Sequence, residues 1–158
     1  MLKLLKILPL TLLLTACAST FGDQARTALD YETATQSSSA AIGKTIVIGG
    51  PILSYNHTAN STQIEIANAP LNDQDAPSAQ GNMSKRAIIN IPEYIPAEQL
   101  QNGRISAIGQ ITDMAEMTRY GSSTVIMVSA NQYRIWRTAK PMFDPNNKER
   151  YGYTYKFE

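Results

Sequence analysis

The chain contains one cysteine and one histidine, Cys17 and His57, and these two residues bound the chemistry it can perform. A single cysteine excludes an internal disulfide and any zinc or iron–sulfur site built from several thiolates. His57 lies in a polar stretch of a chain with no second imidazole, so we interpret it as a structural residue. Asp113 and Glu116 could form an acid/base pair, but no nucleophile accompanies them, and a solvated turn explains both. We therefore predict that the protein is not an enzyme and has no metal or cofactor.

The tripeptide Gly43-Lys44-Thr45 imitates the end of a phosphate-binding loop. The full motif needs a glycine five residues before Gly43, where Ser38 stands, and a helix after it. A β-branched run follows instead, so we predict a strand here rather than a nucleotide site. The formal net charge is +1, and it becomes −1 once Lys3 and Lys6 are removed with the first sixteen residues. This near-neutral balance argues against a nucleic acid partner.

Residues 1–16 predict an export signal, because Lys3 and Lys6 precede an apolar stretch over Ile7–Leu14. The stretch is too short to cross a bilayer, which takes about 20 residues. Leu14-Thr15-Ala16-Cys17 resembles the lipobox of bacterial lipoproteins, although an ordinary secretory signal is the alternative. The resemblance implies that Cys17 is acylated on its sulfur and its amine, as the first residue of the mature chain. Ala18, in place of an aspartate retention signal, implies sorting to the outer membrane.

The remaining sequence divides into three segments. Residues 17–42 are rich in Ser, Thr and Ala and predict a lipidated N-terminus with a flexible tether. Residues 43–138 predict a mainly β domain, and residues 139–158 an aromatic and basic extension. The β domain reads as three strands, a short helix over Pro92–Gln101, and two or three further strands. The predicted strands are Thr45–Ser54, Thr62–Ala67, Arg86–Ile91, Arg104–Thr112, and Ser123–Val128 joined to Gln132–Thr138 by a turn at Ser129-Ala130-Asn131.

Paired glycines inside the first predicted strand, Gly49-Gly50 before Pro51, indicate a bulge or sharp bend. A bent first strand and a helix between the third and fourth strands are typical of an OB-type barrel. We therefore predict a small OB-like Greek-key barrel with one short helix between strands 3 and 4.

Several segments of this domain resemble the Slp family of starvation-inducible outer-membrane lipoproteins of Gram-negative bacteria. The segments are Gly43-Lys44, Ile48-Gly49-Gly50, Ile64-Glu65-Ile66-Ala67, Pro70-Leu71, Gly103-Arg104, Ile108-Gly109 and Tyr133–Trp136. The resemblance implies a lipid-anchored protein of the cell outer membrane that faces the periplasm. It also implies an OB-like barrel and a non-catalytic role in envelope maintenance or stress adaptation.

Aromatic and basic residues crowd into the last part of the chain, and two interpretations of them stay open. One is a ligand or partner surface that contains Trp136, Arg137, Tyr151, Tyr153 and Tyr155. The other is an edge strand with one aromatic face, because aromatic residues alternate with others from residue 151 to residue 157. The first interpretation gives the alternative function, a periplasmic module that binds a saccharide or a peptidoglycan fragment. An envelope protein is the other partner that such a surface would fit.

Overall fold

The computed structural model describes residues 20–117 and 123–137, and this part of the chain is mainly β. Cys17 and the tyrosines Tyr151, Tyr153 and Tyr155 lie outside it. The elements are α1 (Asp23–Thr27), α2 (Tyr31–Ser37), a 3-10 turn (Ser38–Ala41), β1 (Thr45–His57), β2 (Thr62–Ala67), β3 (Arg86–Ile91), α3 (Ala97–Leu100), β4 (Gly103–Met117) and β5 (Ser123–Arg137). Within the described residues, no helix is long and apolar enough to cross a membrane.

The five strands close into a barrel in the order β1-β2-β3-β5-β4, with β4 pairing back onto β1. All neighbours are antiparallel except β3 and β5, which run parallel. The helix α3 connects β3 to β4, as the sequence predicts. This order, with the helix in that place, is consistent with the predicted OB-like barrel.

Isoleucine side chains fill the barrel interior, and they follow the two-residue period of the strands. On β2, Ile64 and Ile66 are fully buried, whereas Gln63 before them is exposed and Glu65 between them is half-buried. Ile64 pairs with Ile89 of β3, which is also fully buried. Each such side chain contributes about 1.5–3 kcal/mol relative to an exposed one, so the alternation fixes which face of each strand turns inward.

The barrel contains bulges in β1, β4 and β5 that let the strands curl. Leu53 interrupts the pairing of β1 with β2, two residues after the predicted bend. In the β4–β5 pair, Thr112 and Asn131 are the extra residues. The turn predicted at residues 129–131 is absent: β5 runs through it, because a single bulge at Asn131 absorbs the polar residues without breaking the strand.

The segment predicted as a flexible tether differs in the structure from Phe21 onward, because short helices there pack on the barrel. Tyr31 and Ala34 lie one turn apart on α2 and are both buried. Leu29 pairs with Ile46 at the edge of β1, where its N–H donates to the carbonyl of Thr45 at 2.8 Å. Ala- and Thr-rich composition predicts a tether, but small side chains also let a helix lie close to a sheet.

Candidate functional site

Residues 72–78 form a tight loop that hydrogen bonds of Asn72 hold together. The side-chain carbonyl oxygen of Asn72 accepts hydrogen bonds from the backbone N–H groups of Gln74 and Ala76, both at 2.9 Å. The Asn72 N–H in turn donates to the carbonyl of Ala76 at 3.0 Å. Asp75 has a φ of 59°, a left-handed conformation that Asp and Asn tolerate better than most residues. The loop therefore presents the Asp75 carboxylate in a fixed position.

The beginning of the described chain docks onto this loop. Phe21 is 5% exposed, and its N–H donates to Oδ2 of Asp75, itself 8% exposed, at 3.1 Å. The hydroxyl of Thr20 donates to the carbonyl of Gln74 at 2.5 Å. Arg134 of β5 donates from Nη1 to the Thr20 hydroxyl at 3.2 Å. We refer to Thr20, Phe21, residues 72–78 and Arg134 as the anchor face, because Thr20, the first described residue, follows Cys17 by three positions in the sequence.

Trp136, one of the residues predicted on a ligand surface, lies beside the anchor face on the outside of β5. The residue is 3% exposed, and its Nε1–H donates to the hydroxyl of the fully buried Ser106 at 2.8 Å. The guanidinium of Arg134 lies 4.6 Å from the indole ring centroid, in a cation–π arrangement. Residues of loop 72–78 line the same groove as Trp136, and the indole is almost entirely buried there. Arg137 is half-buried at the end of β5, where it pairs with Gly103.

A groove of about 570 Å³ runs between loop 72–78 and β4–β5. Pro70, Leu71 and Trp136 form its apolar part, and Arg104 lies at one side. The Nη1 of Arg104 donates to the carbonyl of Pro77 at 2.5 Å, while its buried Nε–H has no hydrogen-bond partner among the described residues. That Trp136 and Arg137 belong to a ligand or partner surface stays a prediction, and so does the role of Tyr151, Tyr153 and Tyr155.

A second groove, of about 530 Å³, separates the α1–α2 connection from the barrel. It is bridged by an ion pair between Lys85 and Glu32. Tyr31 lies at its base and donates from its hydroxyl to the carbonyl of Thr124 at 2.5 Å. Burial raises the pKa of Tyr31 to about 12. Asp30 caps α2 by accepting from the Thr33 N–H at 2.8 Å, a bond that lowers the pKa of its carboxyl group. The N-terminal segment is thus held at both grooves.

His57 lies at the end of β1, where its ring joins a small aromatic cluster. Its ring centroid is 5.3 Å from that of Tyr55 and 4.8 Å from that of Tyr94. Its Nε2 lies 2.7 Å from the carbonyl oxygen of Ile95, so the ring donates there. This hydrogen bond agrees with a structural role for His57. Tyr94 is 56% exposed, the largest fraction among the large apolar side chains of the described chain.

The neighbouring Tyr133 packs against the core and donates its hydroxyl to the carboxylate of Glu93. Burial, and secondarily the Glu93 carboxylate, raise the pKa of Tyr133 to about 12. Ile135 is buried in the core, and Tyr133 is half-buried against it.

The remaining residues considered for chemistry are not brought together. Gly43 has a φ of 83° and is followed by β1, so no helix begins after Lys44. Asp113 and Glu116 are exposed, as predicted, but they lie on β4 rather than in a turn. Pairing with β5 keeps this polar stretch extended. Within residues 20–117 and 123–137, no three His, Cys, Asp or Glu side chains are placed to hold a metal ion.

Sequence reasoning missed Phe21 and Asp75, the two residues that join the N-terminal segment to the barrel. A signal for the first was present, because Phe21 is a large apolar side chain in an otherwise polar segment. The spacing of Asn72 and Asp75 is typical of a turn. The sequence does not indicate which backbone N–H donates a hydrogen bond to the Asp75 carboxylate.

These features describe a small closed β-barrel whose N-terminal segment leads directly from its surface to a candidate lipid-anchor sequence. The chain belongs to the outer membrane lipoprotein Slp family, whose family model matches residues 14–157. The match covers nearly the whole chain and includes Cys17. No curated protein and no solved structure matches the chain.

Proposed function

We propose that this protein is a non-catalytic lipoprotein of the outer membrane that maintains or adapts the envelope through interactions of its barrel domain. The observation that carries the proposal is the match to the outer membrane lipoprotein family over residues 14–157. In the proposal, acylated Cys17 anchors the chain, the barrel faces the periplasm, and starvation or another stress raises the demand for it.

The polar contacts of the barrel support a structural rather than a catalytic role. The most buried ion pair, Arg86 with Glu65 at 2.7 Å, ties β3 to β2, and Ser54 donates to the same carboxylate at 2.9 Å. The Asp75 carboxylate accepts a hydrogen bond from a backbone N–H, and the Ser106 hydroxyl accepts one from the indole N–H of Trp136. These groups are occupied in holding strands and segments together, whereas general acid/base catalysis needs groups directed at a substrate.

The envelope role is tested by removing the protein from its host. We expect a deletion strain to show higher sensitivity to detergent or to prolonged starvation, and wild-type protein to restore resistance. A Cys17→Ser variant produced at the same level should not restore it, because an unacylated chain leaves the outer membrane. Full resistance of the deletion strain under every envelope challenge would contradict the proposal.

A second candidate function, binding of a saccharide or peptidoglycan fragment, is favoured by the aromatic cluster of Tyr55, His57 and Tyr94. Exposed aromatic rings suit the apolar faces of sugars, and OB-type barrels bind oligosaccharides near the loop between their first two strands. Titration with soluble peptidoglycan fragments should give saturable binding that Tyr94→Ala weakens. The control is Met83→Ala, which removes a side chain of similar exposure, 53% against 56%, outside the cluster. Equal binding by both variants would exclude this cluster as the site.

A further inference from the structure

We propose that the anchor face, defined above by Thr20, Phe21, residues 72–78 and Arg134, is the surface that this protein turns toward the phospholipid leaflet. The opposite side of the barrel, the outer face of β2, then points away from the membrane. The inference rests on the proposed lipid anchor at Cys17 and adds a fixed orientation to it.

The first step of the argument is the reach of the chain. Thr20 follows Cys17 by three positions in the sequence, so their Cα atoms are at most about 11 Å apart even when the chain is fully extended. A flexible tether over residues 17–42 would have a root-mean-square length of about 25–30 Å and would leave the barrel free to rotate. The acylated residue is therefore confined to the neighbourhood of the anchor face.

The second step is that the docked segment is fastened at successive points. Phe21 is buried against the loop that carries Asp75, and Leu29 forms a bridge with Ile46 of β1. Tyr31 donates to the carbonyl of Thr124 on β5. To lengthen the tether, the protein would have to expose the buried side chain of Phe21 to water, which is unfavourable for a large apolar group.

The third step is the character of the anchor face. Four large apolar side chains of the described chain are exposed, and none belongs to this face: Ile42, Leu53, Met83 and Tyr94. Asn72, Asp73 and Gln74 are exposed at its rim. A polar rim of this kind suits contact with lipid headgroups rather than insertion among acyl chains. The acyl groups on Cys17 would supply the insertion.

The barrel topology identifies the side that points outward. In the closed order β1-β2-β3-β5-β4, β2 neighbours β1 and β3, while β4 and β5 lie across the barrel from it. Because Arg134 of the anchor face is on β5, the outer face of β2 is the distant one. Gln63 is exposed there and donates to the side chain of Asn90 at 3.0 Å. Gln74 and Gln63 therefore mark the near and far sides.

The chain offers a clean test because Cys17 is its one cysteine and is consumed by acylation in the proposed mature form. Gln74→Cys and Gln63→Cys each replace an exposed glutamine and introduce a single free thiol for a fluorophore. The full-length acylated proteins are placed in phosphatidylethanolamine–phosphatidylglycerol vesicles that contain a lipid with a quencher on its headgroup. We expect several-fold stronger quenching at position 74 than at position 63. Equal quenching, or stronger quenching at position 63, would overturn the inference.

A second pair of variants tests whether docking of the N-terminal segment causes the difference in quenching between the two positions. Phe21→Ala, combined with each cysteine variant, should release the segment and bring quenching at the two positions to the same level. If the difference persists with Phe21→Ala, docking of the segment does not orient the barrel, and the inference fails. Circular dichroism shows whether the barrel stays folded. Failure of the proposed anchor is visible separately, because the protein would then lack the mass of the acyl groups.

Discussion

Among the glycines of the described residues, Gly50 has the least room for a Cβ, and this allows a sharp test by Gly50→Ala. A Cβ added there would lie 1.9 Å from the carbonyl oxygen of Ala67, whereas an ordinary contact begins at 3.4 Å. The same oxygen would lie 2.3 Å from a Cβ at Gly81, so it is enclosed by two glycines and has no free direction in which to move. Sequence reasoning predicts a bulge or sharp bend at Gly49-Gly50, and the structure shows that the backbone comes too close to Gly50 for a Cβ.

The expected loss of stability in Gly50→Ala follows from the backbone displacement that the added Cβ requires. Relieving the overlap needs a displacement of about 1.5 Å between β1 and the chain that leaves β2. Overpacking of a rigid core costs about 1–3 kcal/mol. The same displacement strains the bond from the Ala69 N–H to the Gly49 carbonyl, now 2.8 Å long, and a backbone bond contributes about 1 kcal/mol. We expect a loss of about 3 kcal/mol in the free energy of unfolding, or a melting temperature lower by about 10 °C or more.

Thermal and urea unfolding of the full-length protein measure this loss, and the fluorescence of Trp136, the single tryptophan, reports the transition. Gly103→Ala is the matched control, because its added Cβ would meet its nearest atom at 3.2 Å. The control should lose less than about 1 kcal/mol. If Gly50→Ala unfolds like wild type, or if both variants lose the same stability, the strand crossing is not as close as the structure has it.

Three further predictions concern the anchor, the docked segment and the buried tyrosines. Cys17→Ser should leave an uncleaved, unacylated precursor that no longer fractionates with the outer membrane, and its retention in the outer membrane after a salt wash would contradict anchoring by acylation. Asp75→Ala removes the carboxylate that accepts the Phe21 N–H and should destabilise docking by about 1.5–3 kcal/mol, measured as faster limited proteolysis before residue 31 with the barrel intact; unchanged proteolysis would show that this bond contributes nothing. Tyr31 and Tyr133 have folded-state pKa values raised from 10.0 to about 12, so their stabilisation is complete below pH 10.0 and is lost as the pH rises toward 12. The urea midpoint of wild type should therefore fall between about pH 9 and about pH 11.5, and that of a Tyr31→Phe, Tyr133→Phe double variant should fall less; equal declines would contradict the burial of these hydroxyls.

Sequence patterning was sufficient for the short central strands. β2 and β3 have the bounds predicted for them, Thr62–Ala67 and Arg86–Ile91. Isoleucines alternate with polar residues on β2, whereas β3 is a short isoleucine-rich run that Arg86 begins. The helix is present where predicted but spans only Ala97–Leu100. Pro92 and Pro96 each disfavour the α-helical conformation for the residue that precedes them, so the first part of the predicted helix stays irregular.

The parts that the sequence did not predict depend on tertiary contacts. β4 continues to Met117 through acidic and methionine residues, because pairing with β5 supplies the backbone bonds that local propensity does not favour. Trp136 alternates with the inward-facing Ile135, so the sequence places it on the outside of the barrel. Only the fold shows that it is nevertheless buried, in a groove that Pro77 also lines. The docking of Phe21 also depends on a tertiary contact, because the Asp75 carboxylate that accepts its N–H lies more than fifty residues away along the chain.

The most direct test of the account is intact mass spectrometry of the wild-type protein extracted from outer membranes. The account predicts a mature chain that begins at Cys17 and carries the additional mass of acyl groups on the sulfur and the amine of that residue. A chain that retains residues 1–16, or one with an unmodified cysteine, would contradict the lipid anchor. The membrane orientation proposed for the anchor face depends on that result.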